Sequence, residues 1–336
     1  MKRREFITLL GGGTLLGGAV AWPLAARTQQ RAGMRRMGVL VGYAEKDSEA
    51  QAQIAALREA LHKLGWTADH NIQINERWAS GDATAMRSYA QELVRLNPDV
   101  IVGVSVSVAL ALRRETRTIP IVFTRVSDPI GSGLIETLSH PNGNATGFTN
   151  FEASMGGKWL ELLKEIAPGV KRVAFVFNPD TAAGRGTFYL GPFKAAAASF
   201  AVTPVEAPVY NVGEIESALN SFASEPNGGV VVMPDAFTPV HRDVITTLTA
   251  RYRLPAVYPF RFFATSGGLI SYGVNVMEQF PRAAAYVDRI LKGENPANLP
   301  VQAPTNFELV INLKTAKALG LDVSSQLQQI ANEVIE

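Results

Sequence analysis

From residue 36 onward, short β-branched runs alternate with stretches of helical spacing, and this alternation restricts the chain to parallel sheets covered by helices on both faces. Residues 37–41 read as a first strand. Ile54, Leu57, Leu61 and Leu64 then recur at spacings of 3, 4 and 3, followed by Gly65 as a helix-ending residue. Residues 72–78 alternate as a second strand, and Met86, Tyr89, Leu93 and Leu96 mark a second helix stopped by Asn97-Pro98. Two further strands, 99–104 and 119–124, flank a helix near 108–117. A loop at 139–144 breaks the pattern, which then restarts with a helix at 159–166 and strands at 172–177, 230–233 and 256–258. The tail predicts a helix over 283–291, a strand at 307–311 and a last helix carrying Leu327, Ile330 and Val334. The reading is two successive doubly wound α/β lobes, alike in architecture and without a sequence repeat.

Ahead of this pattern, Arg3-Arg4-Glu5-Phe6-Ile7 precedes an uncharged, glycine-broken stretch over 6–26 that is a weak candidate for a membrane span. It predicts an export signal of the twin-arginine type over 1–28, cleaved near Ala25 to Thr28, and hence a periplasmic protein; an uncleaved signal anchor is the alternative. The chain has no cysteine, which excludes a disulfide framework, a thiolate metal site and a Cys nucleophile. The formal charge of +2 comes from the signal: residues 1–28 hold four basic residues and one acidic, and the remainder carries a net charge of −1. Nothing in that balance indicates nucleic acid.

The motif search finds no phosphate loop, no Gly-x-Gly-x-x-Gly after a strand, no nucleophile elbow and no His-Glu-x-x-His. The four histidines lack metal-ligand spacing, so no catalytic residue, metal or cofactor is predicted. What remains are polar residues just after predicted strand ends, where open α/β sheets bind ligands. In the first lobe these are Tyr43, Ser105, Ser107, Arg125 and Asp128; in the second they are Asn178, Asp235 and Tyr258. Several carry a second reading. Ser105 and Ser107 serve equally as helix caps, Asp128 before Pro129 as a turn residue, and Arg125 as a solvated strand end.

Several runs in order resemble the bacterial ABC transporter substrate-binding proteins of the tryptophan/tyrosine type. They include Ser127-Asp128-Pro129-Ile130-Gly131, Pro141-Asn142-Gly143-Asn144-Ala145-Thr146-Gly147-Phe148, Gly267-Gly268-Leu269-Ile270-Ser271-Tyr272-Gly273 and Ile311-Asn312-Leu313-Lys314-Thr315-Ala316. The resemblance implies two Rossmann-like lobes of the type I periplasmic binding protein fold, joined by three crossover segments near 147–152, 271–275 and 307–312. Lobe one would comprise 34–149 plus 273–306 and lobe two 150–272 plus 307–336, with Asn150 on the first crossover as a further ligand contact. It also implies a lobe-two carboxylate, here Asp235, for a ligand amine, and lobe-one hydroxyls for its carboxylate. Where the family has Thr-Pro, this chain has Val106-Ser107 beside Ser105, so Arg125 stands as an alternative carboxylate anchor. The expected function is capture of a small organic solute, amino-acid-like or an aromatic acid, by a monomer that delivers it to an ABC permease in the inner membrane. A periplasmic enzyme using Asp235 or Asp128 as general base, and a ligand-sensing subunit for a membrane receptor, are the competing readings.

Overall fold

The computed structural model describes residues 33–336, and the export signal expected over 1–28 lies outside the described residues. The first lobe runs β1 (Arg35–Val41), α1 (Ser48–Lys63), β2 (Ile72–Trp78), α2 (Ala83–Arg95), β3 (Val100–Val104), α3 (Val106–Glu115), β4 (Ile121–Val126) and β5 (Ala145–Thr149). Its five strands form an all-parallel sheet in the order β2-β1-β3-β4-β5. The second lobe continues with α4 (Met155–Ile166), β6 (Arg172–Phe177), α5 (Thr187–Ser199), β7 (Thr203–Pro208), α6 (Val212–Ala223), β8 (Gly228–Val232), α7 (Arg242–Arg251), β9 (Ala256–Tyr258), α8 (Arg261–Thr265) and β10 (Ile270–Val274). After β10 the chain forms α9 (Gln279–Leu291), which packs on α1 and β4, and then returns through β11 (Phe307–Asn312), α10 (Leu313–Leu319), α11 (Ser325–Ile330) and β12 (Glu333–Ile335). The second sheet has the order β12-β11-β10-β9-β8-β6-β7 and is parallel except where β10 meets β11.

Burial explains why the strands read as unbroken apolar runs. In β1, Met37, Val39 and Val41 pack with α1 and α9, whereas Leu40 packs with Met86 and Leu93 of α2 and with Val108 and Leu112 of α3. A strand covered on both faces needs apolar side chains at every position. The buried stripe of α1 is Ala50, Gln53, Ile54, Leu57 and Leu61, so one polar side chain sits on the apolar face. In the second lobe Phe175 and Phe193 stack with centroids 4.5 Å apart, and burying each contributes roughly 1.5–3 kcal/mol.

Two expectations fail. The predicted last helix ends at Ile330, which is 61% exposed, and Val334 lies in β12 opposite Ile311. The cause is Asn332, which exchanges backbone and side-chain hydrogen bonds with Leu309 and turns the chain onto the sheet edge. Residues 145–149, where the sequence pattern predicts no strand, form a fifth parallel strand, β5, before the chain leaves the first sheet.

The lobes are closed on each other at the carboxyl ends of their strands. Gly42 makes this approach possible, because a Cβ there would stand 2.8 Å from Ser105 Oγ and 3.2 Å from Ala236 Cβ of the opposite lobe. Tyr189 Oη donates to Ser127 Oγ across the gap (2.7 Å), and Ser127 Oγ donates to Asn150 Oδ1 (2.7 Å). Arg242, at the start of α7, pairs with Asp47, whose other oxygen caps α1 through the Ala50 N–H (2.9 Å). Their side chains are only 15% and 10% exposed, so this pair is less screened than a surface one. Arg242→Ala should therefore lower stability by about 1–3 kcal/mol, read as an earlier midpoint in urea unfolding. An unchanged midpoint would show that the pair does not hold the lobes together.

Candidate functional site

Five of the residues singled out from the sequence converge where the lobes meet. Tyr43, Ser105, Arg125, Asn150 and Asp235 line a cavity of about 10 Å³ together with Phe260, which the sequence did not suggest. Asn178 faces a neighbouring outer cavity of about 890 Å³ at the cleft mouth, lined also by Arg87, Arg114, Arg185 and His241. Ser107 lies 3.2 Å from Ser105 Oγ and opens onto a separate small crevice. Asp128 takes its turn role, accepting from the Gly131 N–H (2.8 Å). Tyr258 is not brought to the cleft: it is fully buried in the second core, stacked on Phe263, with its hydroxyl 2.8 Å from Thr249 Oγ1.

Arg125 is only 4% exposed, so its reading as a solvated strand end is overturned. The pairing of β4 with β5 shifts between Phe123 and Val126, and Arg125 adopts φ of 56° in that irregularity. Such an interruption re-aims a side chain, here into the cleft. A left-handed backbone at a non-glycine residue costs about 1–3 kcal/mol, so something must hold it. Gln279, the first residue of α9, does so: its Oε1 accepts from the Arg125 N–H (2.8 Å) and its Nε2 donates to the Thr149 carbonyl (3.1 Å). Ser105 is strained in the same sense, with φ of 108°, and its hydroxyl caps α3 at Val108 (3.4 Å).

The guanidinium carbon of Arg125 lies 4.2 Å from the Tyr43 ring centroid and 4.5 Å from that of Phe260, so aromatic rings from both lobes cover the group. Nη1 donates to Gln53 Oε1 (3.2 Å), the polar residue on the apolar stripe of α1. Nε and Nη2 find no acceptor among the described residues. Burial pushes the pKa of this group below its ordinary value, and the negative charges of Asp47 and Glu49 offset only part of that. The site holds a positive charge taken out of water with at least three of its five N–H donors free.

Asp235 is in the opposite condition. Oδ1 accepts from the N–H groups of Phe237 (2.7 Å) and Thr238 (2.6 Å), and Oδ2 accepts from that of Asn178 (2.8 Å). The carboxylate thus ties the loop after β8 to the end of β6. Among the described residues no group of three or more His, Asp or Glu side chains is placed to hold a metal ion. The serine hydroxyls meet each other and a backbone amide rather than an imidazole or carboxylate. His241 is half-buried against the Phe237 ring at 4.3 Å.

A family model described as ABC transporter substrate binding protein matches residues 40–335, and the chain belongs to that family of solute-binding proteins. A curated tyrosine-binding protein of Clostridioides difficile is 25% identical over 283 residues, covering 84% of this chain and 79% of that protein. A conserved domain protein from Vibrio cholerae superposes with a TM-score of 0.82 at 27% identity, covering 90% of this chain and 99% of that one. An ABC domain from Streptococcus pneumoniae in complex with L-Trp gives 0.81 at 23% identity, again covering 90% and 99%. The architecture is that of the type I periplasmic binding proteins, two parallel-sheet α/β lobes facing a ligand cleft.

Burial pushes the Asp235 carboxyl up to about 6, and the three backbone hydrogen bonds offset only part of that rise. The unfolded chain releases this proton near 3.8, so between those values the folded protein binds more protons. The stability that this proton contributes is present at the acid end and is lost as pH rises from about 4 to about 6. Melting curves across this range should show that decline, and Asp235→Asn should flatten it. An identical slope in the variant would assign the effect to another group.

Proposed function

We propose that this chain is the solute-binding component of an ABC importer, exported to the periplasm through a twin-arginine signal over 1–28 that is cleaved near Ala25–Thr28. Acting as a monomer, it captures a small organic solute, amino-acid-like or an aromatic acid, between its lobes and presents it to an inner-membrane permease. The observation that carries this reading is the cavity at the interface, where Tyr43, Ser105 and Arg125 of one lobe face Asp235 and Phe260 of the other. Contacts contributed by both sides are complete only when the lobes are closed, so a ligand that makes them shifts the population toward closure. Family membership supports the binding role, and the tyrosine and L-Trp bound by two relatives support a solute of amino-acid size. The moving bodies are 34–149 with 273–306 and 150–272 with 307–336, and the packing of α9 on α1 agrees with that division.

A thermal-shift screen of amino acids and organic acids tests this reading. A ligand at a hundred times its Kd should stabilise the protein by about 2.7 kcal/mol, and small-angle scattering should show a smaller radius of gyration on its addition. Stabilisation without any compaction would indicate a rigid pocket and count against capture by closing lobes.

A further inference from the structure

Resting on the capture reading, we infer that the solute is a small organic carboxylate without an ammonium group, held side-on by Nε and Nη2 of Arg125. These two nitrogens share one edge of the guanidinium plane, the fork that matches a carboxylate with two parallel hydrogen bonds. Both lack an acceptor among the described residues, on a side chain that is 4% exposed. Tyr43 and Phe260 cover the two faces at 4.2 and 4.5 Å, and Gln53 takes Nη1, so the remaining edge is what the site offers. A slot bounded above and below by rings suits a planar carboxylate better than a tetrahedral oxyanion.

The rest of the structure is arranged to keep this arrangement rather than to relieve it. The break in β4–β5 pairing and the positive φ at Arg125 aim the side chain inward, and the buried Gln279 fixes that backbone. A buried charge with unpaired donors lowers stability, because removing such donors from water costs free energy that the rings, Gln53 and the nearby acids return only in part. An incoming carboxylate supplies both the counter-charge and the acceptors.

The absence of an ammonium follows from the acids. Asp235 is the acid that lines the inner cavity, and its oxygens already accept three backbone N–H groups at 2.6–2.8 Å. Asp47 is divided between the Ala50 N–H and Arg242. A zwitterion would bring its ammonium into the desolvated inner cavity beside an arginine, where Asp235 is the one acid in the lining and already holds three N–H groups, while Glu49 lines a separate cavity next to Phe260. A simple carboxylate anion avoids that cost.

The test compares acids that differ only in the amine. Calorimetry on the purified protein should find 3-(4-hydroxyphenyl)propanoate at least tenfold tighter than L-tyrosine, and 3-(indol-3-yl)propanoate at least tenfold tighter than L-tryptophan. Arg125→Lys should weaken the acids tenfold or more, since one fork bond is lost, and Arg125→Met should weaken them a hundredfold. Without ligand, the Met variant should melt no lower than the parent; a purely structural Arg125 would melt lower on replacement. Tighter binding of the amino acids, equal binding by inorganic phosphate, or binding insensitive to Arg125→Lys would each overturn the inference. A neutral solute that binds and closes the lobes when no carboxylate does would overturn it while leaving capture intact. A screen in which no solute class stabilises the protein would sink the capture reading with it.

Discussion

The closed contact between two parallel sheets at the carboxyl ends of their strands sets the terms for everything else in this protein. It encloses the guanidinium of Arg125 between an aromatic ring of each lobe, Tyr43 and Phe260, and so takes a full charge out of water. Burial of an ion without matched partners is unfavourable, so this contact carries its own opposing force. Gly42, which could carry no Cβ without crowding Ser105 and Ala236, shows how near the lobes stand.

Opposing groups hold the lobes shut. The Arg242–Asp47 pair and the Tyr189–Ser127 hydrogen bond cross the gap, while the free edge of Arg125 works against closure. Moving such an equilibrium from mostly open to mostly closed takes about 5.5 kcal/mol of differential binding. A ligand that satisfies two charge-assisted hydrogen bonds can supply a large part of that, at about 1.5–3 kcal/mol each. Gln279 ties this balance to the connections between the lobes. It opens α9, directly after the chain leaves the second sheet, and it bonds both Arg125 and Thr149, the last residue before the chain leaves the first. The strained backbone of Arg125 and two of the connections between lobes therefore share one buried amide.

Much of the architecture is legible in the sequence because it follows from period. Strands buried on both faces appear as short apolar runs, and amphipathic helices such as α1 and α9 appear at spacings of three and four. Where a residue's partner is distant, the pattern misleads. Val334 fits the helical spacing of Leu327 and Ile330, yet Asn332 pairs with Leu309 and delivers it to a strand. Tyr258 follows the rule for strand-end ligands, but its hydroxyl meets Thr249 inside the second core. Tyr43, Ser105, Arg125, Asn150 and Asp235 were reachable from their places near strand ends and crossings, although the burial of Arg125 was not. Gln53 left one local sign, a polar residue within an apolar stripe. Gln279 and Phe260 left none, because their roles depend on contacts across more than a hundred residues.

The most direct measurement is the heteronuclear NMR signal of the Arg125 Nε–H during titration with 3-(4-hydroxyphenyl)propanoate. The account predicts a downfield shift of that proton and slowed exchange with water as the carboxylate forms its side-on pair, both reached at concentrations at least tenfold lower than L-tyrosine requires. A signal unchanged at saturating acid, in a protein that has nonetheless closed, would contradict the claim that ligand capture completes the coordination of this buried arginine.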